Sequence, residues 1–259
     1  MTASGSTQAH RGVAAILERE WASVTRLLAA LDPQAWGHPT RCSGWTILDL
    51  ARHTVWGVSM EADALRRART GQDGRADGLP ATDLDPAAAT DALRLAATDL
   101  VAEAATLDLG PGDSRTCPLP YADLALPTAL DVFVFEAGIH AGDFAHAVGR
   151  DHPLAADVVP ATSTVMSQFL PVFAAAGGST PADGTSFALR GGTVRLDGRW
   201  VDSQLVMGDQ GHEPTMTVAG DDSSVLLYAA GRLGVDDPRL SMDGSVELAR
   251  DFKVYVPGP

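Results

Sequence analysis

At 259 residues, with 45% hydrophobic and 20% charged side chains, the chain has ordinary globular composition and enough material for two domains, each with its own core. A formal charge of −14 argues against a protein that grips phosphate backbones. Cys42 and Cys117 are its only cysteines, which excludes a disulfide framework, although a single bridge between them stays open.

In chain order, the apolar positions Val13, Ile16, Leu17, Trp21, Val24, Leu27, Leu28 and Leu31 repeat with helical spacing until Asp32-Pro33 stops them. A second helix is expected from Thr46, where Thr46 and Asp49 match a capping box, through Leu50, Val58 and Leu65. Its far end carries Arg66, Arg67 and Arg69, read as a solvated basic terminus that suits the helix dipole. Gly71 to Pro86 reads as a loop, and a third helix carries Leu93, Ala97, Leu100, Val101, Ala104 and Leu107. A fourth runs from about Pro127 to Val148, and a fifth follows Pro160. Four or five such helices imply an antiparallel bundle over residues 1–176. Ala174 to Pro181 reads as a linker. Beyond it, short β-like runs (Ser186 to Arg190, Thr193 to Leu196, Gln204 to Met207, Thr215 to Val218) alternate with helices near Ser223 to Gly231 and Val246 to Phe252. That pattern predicts a small α+β domain over 185–259. No apolar stretch spans a bilayer and Met1 to Gly12 lacks the features of a signal peptide, so a soluble, cytoplasmic protein, by default a monomer, is expected.

Glu136 and His140 lie four apart on the fourth helix and so share a face. Phe133, Ala137, Phe144 and Val148 mark the buried stripe, and His140 falls within it with Glu136 beside it. A buried carboxylate demands a cationic partner. His53 sits at the edge of the inward face of the second helix, defined by Ile47, Leu50, Thr54 and Val58. A His/His/carboxylate set from two facing helices suits zinc or another first-row divalent ion, with a position left open for water or a thiolate. Spacing alone favours a plainer arrangement, in which Glu136 pairs with a basic residue and His140 caps a carbonyl. Asp143, one turn past His140, reads equally as an orienting group for that ring or as a solvated carboxylate. His146 is rotated off the ligand face. His10, His38, His152 and His212 sit in polar or Pro/Gly-flanked stretches and are expected to face solvent.

The stretch Arg41-Cys42-Ser43-Gly44-Trp45-Thr46-Ile47-Leu48-Asp49-Leu50-Ala51-Arg52-His53 resembles the C-x-G-W-T-x-x-D-L-x-x-H signature of the mycothiol-dependent maleylpyruvate isomerase family, which belongs to the DinB-like metal-binding bundles. Glu136 to Asp143 is similar to its second signature, E-x-x-x-H-x-x-D. The resemblance implies a four-helix DinB-like bundle with a small C-terminal α+β domain. It also implies a divalent metal on His53, Glu136 and His140, a low-molecular-weight thiol (mycothiol) as cofactor, and a small-molecule substrate, with no nucleic acid or membrane partner. It further implies an arginine of the tail that binds a substrate carboxylate, which Arg232 matches best. Cys42 is then a structural thiol, and Trp45 packs the start of the second helix. After His53 the run Thr54-Val55-Trp56-Gly57 departs from the aliphatic pattern, which leaves the pocket wall and the substrate open. The activity implied is thiol-assisted cis–trans isomerisation or S-transfer on an electrophilic carboxylated molecule. A thiol-independent isomerase, lyase or cyclase using the metal as Lewis acid is the alternative, and a non-catalytic metal protein with a fourth protein ligand, from the Cys117 loop or the tail, is another.

Overall fold

The computed structural model describes residues 3–108, 110, 113–208, 211 and 213–258, with no account of side chains before Gly12. His212 and the His10 side chain therefore lie outside the described residues. The chain divides into two compact units, 1–152 and 153–259.

The first unit holds α1 (Ala3–Ala29), a single turn of 3₁₀ helix (Ala35–Gly37), α2 (Ile47–Thr70), α3 (Pro86–Thr106), the hairpin β1 (Thr116–Pro118) and β2 (Asp123–Ala125), and α4 (Leu126–Ala147). The start of α1 lies earlier than the first apolar repeat at Val13, because periodicity marks the packed part of a helix and not its first turn. Local chemistry sets the other boundaries. Thr46 accepts from the Asp49 backbone N–H while the Asp49 carboxylate accepts from the Thr46 N–H, which is the capping box read from the sequence. Gly71 closes α2 in the left-handed conformation (φ 67°), its N–H donating to the Arg67 carbonyl. Asp85 caps α3 through the Ala88 N–H, and Pro86 follows as a first-turn residue. The basic end of α2 is not simply solvated: Arg66 and Arg69 both reach Glu103 on α3, and Arg67 pairs with Asp63 at 2.6 Å. The four helices form a ring of contacts, α1 on α3, α3 on α2, α2 on α4 and α4 on α1. α4 is buried nearly all round, from Leu126 to Ala145. The two short strands went unread because each has only three residues and Pro118 ends the first.

The second unit holds α5 (Val159–Ala176), β3 (Ser186–Arg190), β4 (Arg195–Val201), β5 (Gln204–Met207), β6 (Met216–Gly220), α6 (Asp222–Ala229), β7 (Leu240–Gly244), α7 (Val246–Arg250) and α8 (Phe252–Tyr255). Its sheet has the order β5-β4-β3-β6-β7, with β3 and β6 parallel and the other neighbours antiparallel. The expected strand Thr193 to Leu196 is the turn and start of β4. There Gly191 and Gly192 wrap the Asp222 carboxylate, which accepts from the Thr193 and Val194 backbone N–H groups. A Cβ on Gly191 would fall 2.1 Å from that carboxylate, so only glycine fits. The helix expected over Val246 to Phe252 is broken into α7 and α8 at Asp251. Phe187, Trp200, Tyr228 and Phe252 form the aromatic core, with Phe252 edge-on to Phe187 at 5.1 Å and stacked on Tyr228 at 5.5 Å. α5 packs against β4, β5 and α6. The boundary expected after residue 176 thus differs from the division at 152/153, because the apolar side of α5 is matched by this unit's own elements.

Candidate metal centre

α2 and α4 carry the three expected ligands to one place. One ligand atom each of His53, Glu136 and His140 lies within 4.8 Å of the others. The helical repeat aligns Glu136 with His140, whose Nε2 stands 3.1 Å from a Glu136 oxygen. The His53 ring meets the His140 ring edge-on, with centroids 5.4 Å apart. His140 is buried, whereas His53 and Glu136 are half-buried, so the group faces a partly open space from a closed floor.

The second nitrogen of His140 is also spoken for. Its Nδ1 lies 3.2 Å from a carboxylate oxygen of Asp143, which is wholly buried. With the Nδ1–H donated to Asp143, the Nε2 lone pair turns toward Glu136 and His53. Asp143 is therefore an orienting group and not a solvated carboxylate. The Cys42 thiol donates to the same Asp143 oxygen at 3.6 Å, tying the loop before α2 to α4. Cys42 and Cys117 are not joined by a disulfide. Cys117 is buried, its pKa raised by burial to about 12, and it belongs to neither group of converging ligand atoms among the described residues.

Charge explains why an ion fits. Burial pulls the His140 pKa down, but hydrogen bonds to Asp143 and Glu136, together with their charges, outweigh it and push the value up to about 9. Two carboxylates thus bracket one imidazole, and the site carries more negative charge than a single proton neutralises. His53 is shifted the other way, chiefly by burial and then by the neighbouring His140, which keeps it neutral and able to donate a lone pair. With an ion in place of the His140 proton, two imidazole nitrogens and a carboxylate at this spacing could hold zinc or a similar divalent ion.

A cleft of about 660 Å³ opens beside His53, lined by Gly44, Trp45, Arg52, Trp56 and Pro80 among others. Trp45 does more than pack the start of α2, since its ring centroid lies 4.8 Å from that of His53. Asp49 is held by its capping bonds to Thr46 and is not the partner of His53. His38 is exposed, as expected, and His146, off the ligand face and read as structural, is exposed too; His152 is not a simple surface residue, since its Nε2 lies 3.3 Å from the buried Glu20 carboxylate. Arg232 sits in the second unit just past α6, where its Nη1 donates to the Ala230 carbonyl.

Residues 17–145 match the family model described as the mycothiol maleylpyruvate isomerase N-terminal domain. The bundle belongs to this family. Two crystal structures of the mycothiol-dependent maleylpyruvate isomerase, one of them a histidine-to-alanine mutant, share its fold. Each is 15% identical with a TM-score of 0.66, covering 90% of this chain and 93% of the other. A comparison with curated proteins gave no significant sequence match. Among the described residues, no helix is long and apolar enough to cross a membrane. Sequence reasoning passed over Glu61, a buried carboxyl on α2. Its signal was available, since it lies on the helical face of His53, two turns further on.

Proposed function

We propose that this protein is a divalent-metal enzyme, with zinc the expected ion, that uses mycothiol to isomerise or conjugate an electrophilic, carboxylated small molecule inside the cell. The observation that carries this reading is the convergence of His53, Glu136 and His140 at the edge of an open cleft. A bound divalent ion lowers the pKa of a coordinated thiol and so supplies a strong nucleophile at neutral pH. His53 and His140 would present neutral imidazole nitrogens to the ion, and Glu136 would be a ligand and not an acid or base. Asp143 holds the His140 tautomer. The cleft walled by Trp45 and Trp56 has the volume of a small-molecule site. Arg232 would bind a substrate carboxylate through two parallel hydrogen bonds, as the family resemblance implies.

The test uses the full chain loaded with zinc and assayed on maleylpyruvate, with and without mycothiol. Turnover is expected to need both metal and thiol. His140→Ala should lose bound metal and reduce turnover by about a hundredfold or more. Equal rates without thiol would move the assignment to thiol-independent Lewis-acid chemistry, and full activity in a metal-free His140→Ala protein would overturn it.

A further inference from the structure

The other buried carboxylates of the bundle are all engaged. Glu20 pairs with Arg19 and His152, and Asp143 with His140 and Cys42. Glu61, 3% exposed, differs: its Oε2 is buried without a hydrogen-bond partner. It also stands outside the groups of converging ligand atoms. An unsatisfied buried polar group is destabilising, and leucine or methionine at this position would avoid that cost.

Its surroundings suggest what it is kept for. On the same face of α2, midway between His53 and Glu61, stands Gly57, and beyond its chain neighbours and the local helix backbone no atom lies within 4 Å of the place its Cβ would occupy. α2 therefore presents, in succession, a metal-site histidine, a hollow and a buried carboxyl. Glu136 on α4 acts electrostatically on Glu61, and Tyr121 in the β1–β2 turn feels both carboxyls. Burial, then the charge of Glu136, raises the Glu61 pKa well above the usual carboxylate range, so it carries a proton it can share.

We propose that Glu61 donates a hydrogen bond to a carbonyl or carboxylate oxygen of the substrate, two turns along α2 from His53. Such a donor stabilises the negative charge that gathers on a conjugated oxygen when a nucleophile adds to the alkene. A neutral carboxylic acid in an apolar site performs this task at pH 7 without adding charge of its own. The inference rests on the proposed isomerase reading for its substrate class.

The test compares Glu61→Gln and Glu61→Leu with the parent in the full-length, zinc-loaded protein. All three should bind the same amount of zinc. Glu61→Leu should melt higher than the parent yet lose about a hundredfold in kcat/KM on maleylpyruvate. Glu61→Gln, which keeps an N–H donor, should recover most of that loss. In infrared difference spectra, the neutral-carboxyl band that Glu61→Gln removes should shift when maleate is added. A lower melting temperature for Glu61→Leu with a band that ignores maleate would make Glu61 a structural group and overturn the proposal, as would unchanged kcat/KM in Glu61→Leu. If the parent fails to isomerise maleylpyruvate at all, the functional reading falls by itself, and the response of the band to maleate still decides the role of Glu61.

Discussion

The two units bury different things. Among the described residues, every fully buried Glu, Asp and His side chain lies in residues 1–152: Glu20, Glu61, His140 and Asp143. The buried polar residues of the second unit outside its aromatic core are hydroxyls, all partnered: Thr162 on the Val158 carbonyl and Ser224 on Asp221 locally, and Ser223 accepting from the distant Leu154 N–H. Buried charge is expensive unless something is gained by it, whereas a hydroxyl bonded to its own helix costs little. The contrast teaches that the bundle accepts buried ionisable groups around the converging His53, Glu136 and His140, while the α+β unit is built chiefly as a packed core.

That contrast can be broken from either side, and the largest effect is expected in the second unit. Trp200 is fully buried against Phe187 and near Tyr255. Trp200→Ala should destabilise the protein by about 3–5 kcal/mol in denaturant melts, while folded protein still binds one equivalent of metal. Loss of metal by the folded variant would show that the division of roles is false. Next comes the orienting carboxylate: Asp143→Asn should weaken metal binding by roughly 10–100-fold in a chelator competition, with little change in the helical circular-dichroism signal. The smallest effect concerns pH. In chelator-treated protein the raised pKa of His140 means that its imidazolium stabilises the fold fully below the unfolded value of 6.5, and that this contribution fades as pH rises through about 9. Melting temperature should therefore decline from pH 7 to 10, and His140→Gln should flatten that decline. An equal slope in both proteins would remove His140 as its source.

Much of the centre was legible because it is written in local spacing. Glu136 and His140 are neighbours through the helical repeat, and Thr46 with Asp49 fixes where α2 begins, hence which face His53 occupies. What could not be read depends on contacts distant in sequence. Cys42 meets Asp143 and His152 meets Glu20 across the bundle, and nothing near either pair in the chain announces the partner. Helical periodicity says that a face of α5 is buried without saying against what, and only the structure shows that face against β4, β5 and α6. The hairpin before α4 is too short to leave a period-two signature.

Two of the three donors ride on a single rigid helix, so their mutual spacing is inherited from the helical repeat. The third comes from a neighbouring helix, and the one dimension left to set is the gap between α2 and α4. The centre is thus a gauge mounted across that seam: whatever pries these two rods apart, whether a bulky guest in the cleft or a repacked side chain, would change first the distance from His53 to the Glu136 and His140 pair.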